Sequence, residues 1–112
     1  MQNPFHIDAE RSGDAAVLRL RGELDVASAS RLEQALADVT QDAPRIVVVD
    51  LGGVEFMDST GLRVVLSANE RAQEAAQEFA LVEGPPQVQR LLELTRARER
   101  LRIASDLREL LG

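Results

Sequence analysis

With 112 residues, 45% of them hydrophobic and 29% charged, the chain fits one compact domain that can bury a core without cross-links. It contains no cysteine, which excludes disulfides and thiolate metal sites, and its lone histidine, His6, excludes a His-based metal triad or a Ser-His-Asp triad. Three Phe without Trp or Tyr leave no base-stacking platform, and a net charge of −6 repels nucleic acid and anionic membranes.

Phe5, Ile7 and Ala9 alternate with His6, Asp8 and Glu10, the period-two pattern of a half-buried strand. A turn signal at Ser12-Gly13-Asp14 leads into a second alternating strand with Ala16, Leu18 and Leu20 inward. The pair reads as an antiparallel hairpin. After Gly22, the positions Leu32, Ala35, Leu36 and Val39 recur at helical spacing and predict an amphipathic helix. Ser30 and Glu33 have the spacing of a capping box near its start, with Asp25 or Ser28 as earlier capping residues. Beyond Pro44, the continuous run Ile46-Val47-Val48-Val49-Asp50-Leu51 predicts a strand buried on both faces, after which Gly52-Gly53 breaks the chain.

Asp58-Ser59-Thr60-Gly61 then precedes a helix with Leu62, Val65, Leu66, Asn69, Ala72 and Ala76 on one stripe. Phe79-Ala80-Leu81-Val82 is a further short strand. Past Gly84, either Pro85 or Pro86 suits the first turn of a third helix marked by Val88, Leu91 and Leu92. Leu101-Arg102-Ile103-Ala104 predicts a marginal strand, and Leu107, Leu110 and Leu111 a short closing helix.

The order ββαβαβα(β)α predicts an α/β fold with a mixed, mostly parallel sheet, an N-terminal antiparallel hairpin and about four helices. One domain over residues 1–112 is expected, since no repeat or linker interrupts the pattern. No apolar run approaches the roughly 18 residues of a membrane span, and no signal peptide is readable at the start, so a cytoplasmic location is expected.

Charge is uneven along the chain. Residues 1–60 carry eleven Asp or Glu against five Arg, a balance of −6, whereas residues 61–112 carry eight of each. All thirteen basic residues are Arg, so there is no amine for Schiff-base chemistry and no P-loop lysine. The acidic first half suits a face that meets a basic partner.

Chemistry concentrates in Val54-Glu55-Phe56-Met57-Asp58-Ser59-Thr60-Gly61-Leu62, where two hydroxyls and a carboxylate sit at a loop-to-helix junction. Asp58 or Ser59 can cap the helix by accepting from the unpaired N–H groups of its first turn. Val54, Phe56 and Met57 are expected to press the segment against the core. Gly61 leaves one flank open for the backbone of another protein.

This segment, together with Gly22-Glu23-Leu24-Asp25 before the first helix, resembles the STAS domains, and more narrowly the anti-sigma factor antagonists. Ile46 to Leu51, Leu62 to Leu66 and Leu81-Val82-Glu83-Gly84-Pro85 fit the same pattern. The resemblance implies a STAS-type fold and a phosphorylation switch at Ser59, with Asp58 the preceding acid and Thr60 the neighbouring hydroxyl. Asp25 falls on the acidic residue that lies near the phosphorylation loop in such folds. Asp25, Asp58, Ser59, Thr60 and Gly61 are thus the expected partner-binding residues. The implied partners are an anti-sigma factor that is also a serine kinase, and a PP2C-type phosphatase. The unphosphorylated form would bind the anti-sigma factor and release sigma. No cofactor or metal is implied.

Members of this family often carry glycine before the fourth strand and after the third helix. Here Ala76-Gln77-Glu78 and Thr95-Arg96-Ala97 stand instead, implying longer turns or a non-glycine residue in a strained conformation. The run Arg96, Arg98, Arg100, Arg102 reads as a solvated face, with a second contact surface as the alternative. A receiver-like phosphoacceptor at Asp50 would need a catalytic lysine, and a serine hydrolase at Ser59 would need a histidine base. Neither is at hand. The remaining alternative is a STAS module of another kind, transporter-associated or a stress-signalling scaffold, binding protein partners without a sigma-factor role.

Overall fold

A computed structural model describes residues 4–111. The hairpin of β1 (His6–Ser12) and β2 (Ala15–Leu24) turns at Gly13. It is followed by α1 (Ala29–Thr40), β3 (Ile46–Met57), α2 (Ser59–Glu74), β4 (Glu78–Val82) and α3 (Pro86–Leu94). A 3-10 turn (Ala97–Arg100), β5 (Ile103–Ala104) and α4 (Arg108–Leu111) complete the described chain. The five strands lie in the order β1-β2-β3-β4-β5, with β1 antiparallel to β2 and the remaining pairs parallel. The expected mixed sheet, and its marginal last strand, are both present.

Because the parallel strands are neighbours in chain order, right-handed crossovers all advance in one direction and place α1, α2 and α3 on the same face. Leu32 and Leu36 of α1, Leu62 and Val65 of α2, and Val88 and Leu92 of α3 share one core with Leu18, Leu20, Val47, Val49, Leu51 and Leu81. On the other face Ala15, Val17, Ile46, Val48, Ala80 and Val82 form a smaller core, closed by Leu107, Leu110 and Leu111 at α4. Further along that face charges replace apolar groups. Arg19 lies 2.7 Å from Glu10 and 3.8 Å from Asp50, and Arg21 lies 3.7 Å from Asp8.

Burial on two faces corrects the alternation expected of β2, where Ala15, Ala16, Val17 and Leu18 are all buried. In β1, Phe5 is buried just before the strand and Ile7 packs on the main core, but Ala9 is exposed at the sheet edge. Gly52-Gly53 does not break the chain. The strand runs through it with two one-residue bulges, so that Arg19 faces Asp50, Arg21 faces Gly53, and Glu23 faces Phe56. A Cβ on Gly53 would sit 2.7 Å from Arg21 Cγ and 2.8 Å from the Leu20 carbonyl oxygen, so a side chain does not fit at the bulge.

The helix ends also refine the reading. At α1 the cap is Ser28, and Ser30 is an exposed residue inside the helix. Pro86 opens α3 at its first position, with Pro85 as the cap. Ala76 lies beyond α2, exposed and off the apolar stripe. It closes a Schellman motif, in which the Gln77 N–H donates to the Ala72 carbonyl at 2.8 Å and the Ala76 N–H to Gln73 at 3.2 Å. That motif forces Ala76 to φ 56°, and Arg96 after α3 adopts φ 62°. The missing glycines therefore leave strained residues. Asn69, on the predicted stripe, is buried because its amide donates to the Arg100 carbonyl at 3.0 Å and ties α2 to the 3-10 turn. The arginine run is a solvated face, with Arg96 paired to Glu99, Arg100 to Glu70 and Arg102 to Glu78.

Left-handed alanine is disfavoured by the contact of its Cβ with the following carbonyl, a penalty that glycine lacks. Ala76→Gly should raise stability by about 0.5 kcal/mol after the entropy of the freer unfolded chain is subtracted. Urea denaturation, read as a higher midpoint at unchanged slope, checks this.

Candidate functional site

Parallel pairing of β2 and β3 brings two loops together at their C-terminal ends. Leu24 faces Met57 across the ladder, and the Asp58 N–H donates to the Leu24 carbonyl at 3.2 Å. Asp25 to Ser28 and Asp58 to Gly61 therefore leave the same edge of the sheet. Asp25, Asp58, Ser59, Thr60 and Gly61, the residues that the family resemblance implies, lie in these two adjoining segments.

The first loop is organised by its own polar atoms. Asp25 Oδ1 accepts from the N–H groups of Ala27 at 3.0 Å and Ser28 at 3.3 Å. Ser28 Oγ accepts from the Asp25 N–H at 2.9 Å and donates to the Glu23 carbonyl at 2.8 Å. Ser28 is fully buried, so these bonds fix the path of the chain from β2 into α1. Asp25 thus has a structural task beside any role toward a partner.

In the second loop Asp58 is extended, and its Oδ1 accepts from the Gly61 N–H at 3.0 Å, the N-cap of α2. Ser59 and Thr60 are the first two helical residues rather than part of the preceding loop. Ser59 is exposed, whereas Thr60 is half-buried and lines a shallow hollow of about 240 Å³ with Ala29, Glu33, Arg63, Val64 and Ser67. A larger groove, about 420 Å³, lies toward the other ends of α1 and α2, over Leu36, Val47, Ala72 and Phe79. It takes no part in this edge.

Gly61 corrects one expectation. The flank expected to be open beside Ser59 is filled from within the molecule. Gly61 is buried, and a Cβ there would meet Leu24 Cγ at 2.7 Å and the Leu24 carbonyl oxygen at 2.8 Å. Glycine is needed so that α2 can start against the end of β2.

Phe56 corrects another. Val54 and Met57 are buried as expected, but Phe56 is 49% exposed. Core-facing residues of β3 run Val47, Val49, Leu51, Val54, Met57, and the two bulges stretch the last intervals from two residues to three. Glu55 and Phe56 are turned outward as a result. Val26, between Asp25 and Ala27, is 76% exposed and was not singled out in the sequence. Its one signal is an apolar residue that belongs to no periodic stripe.

The edge therefore presents a hydroxyl, two exposed apolar side chains and the carboxylates of Glu23, Asp25, Glu55 and Asp58. His6 starts edge strand β1 opposite Arg21, with β2 between it and the strand that leads to Ser59, and no hydrogen bond links its imidazole to the Ser59 hydroxyl. Among the described residues no group of three or more Asp, Glu or His could hold a metal ion. No described helix is long and apolar enough to cross a membrane.

A family model described as the STAS domain matches residues 6–110. The chain belongs to the STAS domain family. Within that family this STAS domain is similar to proteins named anti-sigma factor antagonists. It is 32% identical over 78 residues to the anti-sigma-B factor antagonist of Staphylococcus aureus, covering 70% of this chain and 72% of that one. It is 40% identical over 63 residues to the anti-sigma-F factor antagonist RsfB of Mycobacterium tuberculosis, a match covering 56% of this chain. That match spans about half of RsfB, 51% of its length. In structure it is similar to an anti-sigma factor antagonist from Mycobacterium paratuberculosis, with a TM-score of 0.88 and 29% identity over 99% of this chain and 96% of that one.

If Gly61 is required by packing inside this STAS domain, Gly61→Ala should destabilise the isolated protein by about 2 kcal/mol, since backbone and a buried leucine must move. Thermal unfolding in the absence of any partner checks this. An unchanged midpoint would return Gly61 to the partner face.

Proposed function

We propose that this protein is an anti-sigma factor antagonist whose unphosphorylated form binds an anti-sigma factor with serine kinase activity, and which is switched off by phosphorylation of Ser59. It acts by binding, not as an enzyme, in the cytoplasm, and a PP2C-type phosphatase restores it. The observation that carries this reading is the exposure of Ser59 at the start of α2, on an edge whose other exposed groups suit a protein partner. The naming of the relatives as antagonists supports the same reading.

The physics of the switch follows from placement. A phosphate adds about −1.5 to −2 charges and three acceptor oxygens at neutral pH. At the first turn of a helix those charges meet the positive end of the peptide dipoles, so the fold tolerates them. Toward a partner that must approach Asp25 and Asp58, the same charges raise the cost of burying the edge. Val26 and Phe56 supply the apolar contact, and the carboxylates around them select a basic rim on the partner.

Incubation with a kinase anti-sigma factor and ATP should add one phosphate by mass, mapped to Ser59 and absent in Ser59→Ala. Modification mainly at Thr60, Ser28 or Ser30 would defeat the assignment. Binding without any phosphorylation would favour a STAS module of another kind. Ser59→Asp should weaken binding about tenfold, close to 1.4 kcal/mol, while Ser59→Ala binds normally.

Asp58→Asn separates capping from charge. Asn caps about as well as Asp, so stability should change by less than about 0.5 kcal/mol. The phosphorylation rate should nonetheless fall several-fold.

Val26→Ser removes an exposed apolar group without touching the core. Calorimetry should show at least about 1 kcal/mol of lost affinity, with the melting temperature unchanged.

A further inference from the structure

Arg63 lies one turn beyond Ser59 on α2, at the i+4 position that shares its helical face. Its side chain is exposed and forms no ion pair among the described residues. Nearby carboxylates are otherwise placed. Asp58 caps the helix through Gly61, Asp25 closes its own turn, and Glu70 lies 3.8 Å from Arg100. Glu33 of α1 lines the same hollow as Arg63 but lies outside ion-pair distance of it. The cation is therefore kept on the edge without a fixed counter-charge, one turn from the hydroxyl.

We propose that Arg63 is a phosphate-positioning residue, pairing through its guanidinium with phosphoserine at position 59 and holding the modified side chain along α2. The inference rests on Ser59 being the modified residue. An acidic group four residues before a basic one is the favourable order on a helix. A guanidinium matches two phosphate oxygens at once, and a phosphate dianion outbids the single charge of Glu33. The pair would draw the phosphate away from Asp25 and Asp58, sparing the fold their repulsion. It would also give the phosphorylated state a defined shape instead of a mobile charge.

The test uses this chain with phosphoserine built in at position 59 by genetic encoding, so it does not depend on any kinase. A 31P NMR titration reads the second ionisation of the phosphate. Arg63 favours the dianion, so that pKa should lie below the value of about 6 of an ordinary phosphoserine. Arg63→Gln should raise it by about half a unit, and Arg63→Lys should retain part of the effect as a point charge. Arg71→Gln is the control, because Arg71 is an exposed cation of the same helix, two further turns away. It should leave the titration unchanged. A titration unmoved by Arg63→Gln, or moved equally by Arg71→Gln, would overturn the pair. Failure of a kinase to modify Ser59 would instead overturn the proposed function and leave this measurement standing.

Discussion

The bond from the Asp58 N–H to the Leu24 carbonyl sets the geometry on which the edge that carries Ser59 depends. It closes the ladder between β2 and β3 at the point where both strands give way to loops. Gly61 then seats the first turn of α2 directly on Leu24, with no room for a methyl group between them. Two loops that are about thirty residues apart in sequence become one surface. The helix that carries Ser59 inherits the rigidity of the sheet beneath it.

Around this junction most polar groups are turned to internal use. Asp25 and Ser28 satisfy backbone groups of the first loop, and Asp58 satisfies one of the orphan donors of α2. Each such bond contributes on the order of 1 kcal/mol, and together they hold the backbone without support from a partner. What remains outward is a hydroxyl, Val26, Phe56 and residual carboxylate charge. The proposed phosphorylation of that hydroxyl would therefore act on the approach of another molecule more than on the fold.

Stability has a different origin. The surface ion pairs, including those of the arginine run and of Arg45 with Asp14 and Glu78, are exposed and individually weak. The two cores carry the fold, and their asymmetry follows from strand order. With α1, α2 and α3 on one face, the other is left to α4 and a row of charged pairs. Left-handed Ala76 and Arg96 are tolerated because the Schellman motif at Ala76 and the turn closed by the Arg96 N–H on the Glu93 carbonyl place the next segments correctly, at a cost smaller than loss of a buried leucine.

The sequence by itself determined the order of elements, the hairpin, the central strand and the motif that marks Ser59. These are local signals, since hydrophobic period, turn residues and caps act within one turn or one strand. Set beside the family pattern, it also exposed the two turns where glycine is missing. Only the tertiary structure decided that Gly52-Gly53 is a bulge, because a bulge exists only against a neighbouring strand. The same interaction turns Phe56 outward, against its hydrophobic character, and makes Gly61 a packing residue instead of an open flank. The meeting of Asp25 with Asp58 followed a family pattern in sequence, but its physical cause, parallel register between Leu24 and Met57, belongs to long-range pairing that no local period encodes.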